Sequence, residues 1–481
     1  MKKQVVFLLA QQFFKKTFSN KGLFGLLFIY LSVLAYVTIT SWHAFEKHHH
    51  SIEHHQQVSK KSWDENPDKH PHRMAHFGSF VFRLQHPLSI FDSGIESYTG
   101  NSIFLEAHKQ NTANFSEASL STGLVRFGDL NIAMLLQLIL PLIIFFLGYS
   151  SITAEKENGT LKIIHIQGAN IKEILLGKSL GLFLISALFF LPSLTSLWSI
   201  SFFENTLIHS SIGIRTMLIT ISYIIFFSIL CLFTVVVSAK SENSNKALLS
   251  LLGVWLLFFI IIPKTAQVVG NSIYPNLSRI AFKAAVEEQV SKKGDSHNTK
   301  DPHFAKLKDS ILKANNVTDV KDLSFNYGGY LMKRGEEQSA VIYATQYQKL
   351  IDTYKKQNSI TNGILLLNPY LAIKNLSMSL SGTDFDTYMN FLLQTENYRY
   401  EQSQYMNELQ MKFISNKAKG SEGKVHVVEQ KYWKDFPQFN YEYISVNEIV
   451  KTQFFAIVTL CIWLVLIILF IGKFSNRFKI I

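Results

Sequence analysis

The sequence has almost no cysteine. Its two, Cys231 and Cys461, both lie inside long apolar runs, so no disulfide staples the polar stretches between those runs, which must fold on cores of their own. Ionisable residues are equally scarce within the runs, which argues against a hydrolase or protease working inside a membrane. A nucleotide-binding loop is missing too. Gly177-Lys178-Ser179 matches the end of G-x-x-x-x-G-K-[ST], but the position of the leading glycine holds Lys172. If ATP energises this chain, a separate subunit must bring it. Nor does a short apolar core with a small-residue cleavage site follow the basic start; about twenty residues precede a full-length apolar run, which reads as an uncleaved first helix.

What is present is apolar and clustered: 48% of residues are hydrophobic and 39 are Phe. Six runs, 23–42, 131–152, 179–203, 216–238, 247–262 and 454–471, are long enough or nearly so to cross a hydrocarbon layer of about 30 Å as helices. The expected class is therefore mainly α, a polytopic membrane protein with six transmembrane helices and two extracytoplasmic domains, 43–130 and 263–450. Residues 1–22 carry Lys2, Lys3, Lys15, Lys16 and Lys21 without an acid, and the tail 472–481 carries Lys473, Arg477 and Lys479. Basic short flanks face inward, so both termini are expected in the cytoplasm of a bacterium, with its inner membrane as the location. The excess behind the net charge of +12 sits largely beside the runs, where it meets anionic lipid rather than nucleic acid.

Between the runs the pattern varies. Residues 4–18 suit an amphipathic helix on the inner membrane face. A histidine-rich stretch follows the first run (His43, His48, His49, His50, His54, His55, His70, His72, His76), and its polar centre, 46–70, reads as a flexible excursion. Residues 77–127 read as a compact mixed segment. In the second polar domain 277–291, 302–314, 336–357 and 383–417 read as helices and 419–445 as irregular or stranded. Glu204, His209 and Arg215, at the outer ends of the third and fourth runs, read as interfacial anchors.

The segment between the second and third runs, 153–178, carries the strongest functional signal. Asn158-Gly159 and Gly168 break helix, and Asn170 with Glu173 three residues later forms a capping-box start. Ile171, Ile174 and Leu175 supply apolar knobs that a soluble partner can grip; an ordinary loop joining two spans is the alternative. Glu155-Lys-Glu-Asn-Gly-Thr-Leu161, then Gln167-Gly-Ala-Asn170, then Leu176-Gly-Lys178 resembles the coupling region of ABC-2-type transporter permeases. His76-Phe-Gly78, Glu106-Ala-His108 with Gln110-Asn111, Arg126-Phe-Gly128, Asn368-Pro-Tyr-Leu-Ala372 and Leu380-Ser-Gly-Thr-Asp384 resemble a subfamily with large outer domains, similar to permeases of copper-enzyme maturation and gliding-type systems.

The resemblance implies a non-catalytic permease subunit, paired with a second copy of itself or a sister permease, that binds two ATPase subunits holding ATP and Mg. Carried over by position, Glu155, Glu157, Gly159, Thr160 and Leu161 close the second span and shape the loop. Asn170, Ile171, Glu173, Ile174, Leu175 and Lys178 belong to the coupling helix and its exit. No cofactor is expected in this chain itself unless the histidines bind copper or zinc. His72 and His76 are spaced i, i+4, and His108 or Glu106 can complete a set. Pro71 beside His72 and the absence of a cysteine or methionine cluster for Cu(I) weigh against a site, and a buried hydrogen-bonded network is the alternative. A membrane-anchored metal-binding or receptor protein is accordingly the competing function.

Overall fold

The computed structural model describes residues 2–111, 116, 130–203, 211–294, 301–417 and 426–478. Arg126-Phe-Gly128, Glu204 and His209 lie outside them. Among the described residues six helices are long and apolar enough to cross a membrane: α2 (Lys21–Asp64), α4 (Ile132–Glu157), α6 (Ile171–Phe203), α7 (Ile212–Lys240), α8 (Ser244–Ile273) and α16 (Phe454–Arg477). The chain is thus a mainly α, multi-pass membrane protein. Helices α4, α6 and α7 form the buried centre, while α2, α8 and α16 flank it with broad apolar surface exposed.

Helix starts follow local chemistry. Asn131, Asn243, Ser278, Asp301, Asn326, Asn368, Asp384 and Ser445 each accept a backbone N–H two or three residues on, satisfying donors that a helix N-terminus leaves open. Two spans depart from α geometry. Leu135–Ile139 in α4 and Leu256–Ile261 in α8 are π-helical, and Pro141 and Pro263 follow them closely. A proline has no N–H for the carbonyl four residues earlier, so the ladder loosens ahead of it. Neighbouring side chains hydrogen-bond within these turns: Trp255 Nε1 donates to Leu138 O at 3.1 Å and Asn368 Nδ2 to Phe258 O at 2.7 Å.

The histidine-rich stretch is helical. α2 continues without a break from the first apolar run to Asp64, about 66 Å at 1.5 Å per residue, roughly twice a hydrocarbon layer. The flexible excursion expected at 46–70 is corrected for most of its length. Phe45, Ile52 and Trp63, spaced seven and eleven apart, are buried, and Ser59 Oγ bonds both the N–H and the C=O of Phe80 at 3.0 and 3.1 Å. Polar composition had hidden a helix that tertiary packing pays for.

Beyond α2 come α3 (Pro71–Phe77) and an antiparallel hairpin, β1 (Ser79–Phe82) with β2 (Ser102–Leu105), in register Ser79↔Leu105 to Phe82↔Ser102. The long polar stretch near the C-terminus forms α9 (Arg279–Lys293), α10 (Pro302–Ala314), α11 (Tyr327–Leu365), α12 (Pro369–Ser381), α13 (Phe385–Phe413), α14 (Lys431–Lys434) and α15 (Val446–Thr452). Apart from a small cluster of Phe304, Leu331 and Met332 within the second stretch, the two polar stretches share their cores. One cluster joins Trp63, Met74, Ala75 and Ala107 to Met406, Leu409, Val428 and Trp433, and another joins Val81, Ile103 and Leu105 to Phe391, Phe439 and Tyr441. Trp63 Nε1 donates to Trp433 O at 2.9 Å. Gly94 (φ 48) could not carry a side chain, because its Cβ would lie 2.4 Å from Thr383 O.

Helix α12 corrects the sequence reading further. Expected in an outer domain, it shares the core of the spans through Tyr370, Leu371, Ala372, Ile373, Leu376 and Leu380, and packs against α7 and α16. Its C-terminal carbonyl at Leu380 accepts Arg215 Nη1 at 3.0 Å, and Arg215 Nη2 reaches Ile444 O. Arg215 is therefore a buried clasp rather than an interfacial anchor.

Candidate functional site

The segments 2–18, 153–170 and 239–246 and the end of α16 meet at one end of the bundle. Lys156 Nζ stands 5.1 Å over the Phe478 ring and donates to Ser241 O at 3.0 Å and to Ala239 O. The Glu157 carboxylate accepts Ser244 N at 2.7 Å and Ser244 Oγ at 2.9 Å, and Ser238 Oγ accepts the N–H of Ile152 and Thr153. Two loops that the sequence separates by some eighty residues are thereby one surface.

On that surface sits α5 (Thr160–Ile166). Gly159 (φ 72) and Gly168 (φ 94) occupy the left-handed region at its two ends, which glycine enters without steric cost. Leu161 is buried and anchors the helix, whereas Ile163 is 54% and Ile166 83% exposed. Large aliphatic side chains at that exposure on a short helix form a knob left uncovered by the described residues. The two spans that flank α5 in the chain are tied by an ion pair. Glu155, near the end of α4, pairs with Lys178 in the third turn of α6, both buried; an ion pair away from water holds two helices in one arrangement because separating it strands a charge.

The predicted site residues divide accordingly. Glu155, Glu157, Gly159, Thr160 and Leu161 all belong to this construction. Thr160 Oγ1 donates to Glu155 O at 3.4 Å. Asn170, Ile171, Glu173, Ile174, Leu175 and Lys178 do not form a separate short helix; Asn170 immediately precedes α6, and the others lie in its opening turns, continuous with the third span. Ile171, Glu173, Ile174, Leu175 and Lys178 are buried, so they are not knobs for a partner. Half of the expected capping box is present: Glu173 Oε2 accepts Asn170 N at 3.1 Å, and Oε1 accepts the Lys2 backbone N–H. Glu173 thus fastens the N-terminal segment to α6.

Sequence reading missed why Gly177 and Gly181 are there. Helix α1 (Lys3–Phe18) lies against α6 through Val6, Leu9, Ala10 and Phe13. A Cβ on Gly177 would stand 2.9 Å from Val6 O, and one on Gly181 2.8 Å from Ala10 O. Two glycines four apart let two helix backbones meet closely; the i, i+4 spacing was the available signal, but Gly177 was weighed only against a phosphate-loop pattern, which Lys172 excludes, and as the exit of a coupling helix.

The other predicted set lies elsewhere in the fold. His72 and His76 of α3 and His108 after β2 come together, their candidate ligand atoms all within 4.8 Å of one another. Glu106 does not join them: its carboxylate takes Lys109 Nζ at 3.0 Å and Asn111 Nδ2 at 3.1 Å.

Comparison with known proteins adds one finding. Residues 279–442 match a family model described as a domain of unknown function (DUF3526). The match covers about a third of the chain and takes in helices α9 to α14, α12 among them. A search of the curated proteins finds no match.

Proposed function

We propose that this chain is the membrane-spanning, non-catalytic permease subunit of an ABC transporter in a bacterial inner membrane, with both termini and α5 on the cytoplasmic side. A separate ATP-binding subunit, holding ATP and Mg, supplies the energy; the permease moves a substrate or transmits force. The observation that carries this reading is α5 itself. Its apolar face is exposed where a span-connecting loop would ordinarily be polar, and it is anchored through Leu161 and through Thr160 on Glu155, whose carboxylate pairs with Lys178 near the root of α6, so a push on α5 is delivered to the centre of the bundle. The resemblance of 155–178 to ABC-2 coupling regions supports the same reading. The exposed apolar flanks of α2, α8 and α16 suit lipid and a second permease, whether another copy or a sister chain.

Co-expression with a candidate ATP-binding subunit tests this. Ile166→Asp, alone or with Ile163→Asp, is expected to abolish co-purification of the ATPase and its stimulated hydrolysis while leaving the thermal midpoint of the permease unchanged, since both side chains are exposed. Unchanged co-purification and hydrolysis in the double variant would overturn the assignment of α5 as the docking helix.

A further inference from the structure

At the end of the molecule remote from α5, four elements converge on three imidazoles. His72 and His76 lie one turn apart on α3, their ring centroids 4.6 Å apart, and His108 approaches from the loop after β2, 5.7 Å from the first and 5.3 Å from the second. Pro71 does not disturb the i, i+4 pair, because it is the first residue of α3, where a missing N–H costs nothing. His70 caps that helix by accepting His72 N at 3.2 Å.

His108 is held with unusual care. Its backbone is left-handed (φ 61), a conformation that costs a residue with a Cβ and persists where the surroundings impose it. Both its N–H, at 3.0 Å, and its Nδ1, at 2.9 Å, meet the same oxygen, Oε2 of Glu336 on α11. Glu336 is fully buried, and its other oxygen takes Arg399 Nη1 of α13 at 2.7 Å; Arg399 in turn makes a bidentate pair with Glu396 at 2.7 and 2.8 Å. Ala107 N donates to Ala75 O at 3.3 Å, fixing the loop to α3. A carboxylate on one ring nitrogen sets the tautomer and makes the opposite nitrogen the donor, here Nε2.

We propose that His72, His76 and His108 form a mononuclear site for a borderline divalent transition ion of the Zn2+ or Cu2+ class, with Glu336 as the positioning residue for His108. The donor set decides the class: Ca2+ and Mg2+ take oxygen ligands and Cu(I) favours sulfur, whereas neutral imidazoles suit Zn2+ and Cu2+. Imidazoles around one such ion lie about 2.0–2.1 Å from it, so three of them stand closer together than the 4.8 Å that bounds these atoms, and small side-chain rotations close the difference. Three protein ligands leave a fourth position open, as in exchangeable or catalytic rather than structural sites. Access exists: His76 is exposed, and His108 lines a cavity of about 380 Å3 with Glu287, Ser291, Gln338 and Tyr343.

The test uses the full chain in detergent, stripped with a chelator and titrated with Cu2+ followed by electron paramagnetic resonance, and with Zn2+ by competition against a chromogenic chelator. One tight ion per chain with coupling to three nitrogens is expected. His76→Ala, at an exposed position, is expected to weaken binding at least 100-fold and reduce the nitrogen count with an unchanged thermal midpoint. Glu336→Gln is expected to weaken it 10- to 100-fold, and His49→Ala with His50→Ala, on the histidine-rich part of α2, to leave it intact. Unchanged affinity and spectrum in His76→Ala, or a loss confined to the His49/His50 variant, would overturn the site.

Discussion

Asp92 shows how a single buried group ties distant parts of this chain together. Its Oδ2 accepts Ser377 Oγ of α12 at 2.5 Å and its Oδ1 accepts Gly94 N at 3.1 Å. Ser377 Oγ is also 3.2 Å from Tyr223 Oη of α7, which accepts Gln137 Nε2 of the π-helical turn in α4 at 2.8 Å. Burial pushes the Asp92 carboxyl above its ordinary value of 3.8, although those hydrogen bonds and Lys374 favour the anion. A carboxyl whose folded pKa is raised stabilises the fold below its unfolded value and loses that contribution as pH rises through the folded one. Asp92→Asn removes the titration. Its thermal midpoint is therefore expected to gain on that of the parent chain as pH increases from about 4, and a difference independent of pH would refute the argument. No local sequence pattern marked Asp92, because its partners come from three other elements.

Among elements, the close crossing of α1 and α6 carries the most specific prediction. Gly177 and Gly181 leave no room for a side chain beneath the backbone of α1, so a large residue must push the helices apart. Gly181→Leu is expected to destabilise the protein by at least about 1–3 kcal/mol and to raise the protease sensitivity of residues 3–18, read by limited proteolysis of purified protein. Gly213→Leu, where nothing lies within 4 Å of an added Cβ, serves as the control. The helices themselves were legible beforehand wherever their own residues decide: 302–314 coincides with α10, and 277–291, 336–357 and 383–417 fall on α9, α11 and α13. The continuation of α2 and the merging of 170–178 into α6 were not legible, since both rest on burial against neighbours far along the chain.

For the whole molecule, the segment matching DUF3526 is not a detachable module. It contributes α12 to the core of the spans and half of each cluster that packs α3 and the hairpin. Expressed alone, residues 279–442 are expected to lack a cooperative thermal transition by circular dichroism, because Phe391, Met406, Leu409 and the apolar face of α12 would lose their partners to water. A sharp transition in the isolated segment would contradict the shared core. The same sharing gives the proposed coupling helix α5 a continuous packed route to the opposite end, through α6, α7 and α12.

The sequence by itself determined what depends on composition over short windows: six apolar runs, their helical state, most helix starts and the breaks at Gly159 and Gly168. Water-to-lipid transfer and capping are local, so about 20 residues suffice to read them. Tertiary structure decided everything that depends on convergence. It brought His108 to His72 and His76 while turning Glu106 away, drew Glu336 and Arg399 in from more than two hundred residues further on, and sank α12 among the spans. It also left Ile163 and Ile166, rather than Ile171 and Ile174, facing outward. Which side chains end up buried together is set by long-range packing, and no spacing within a single stretch encodes it.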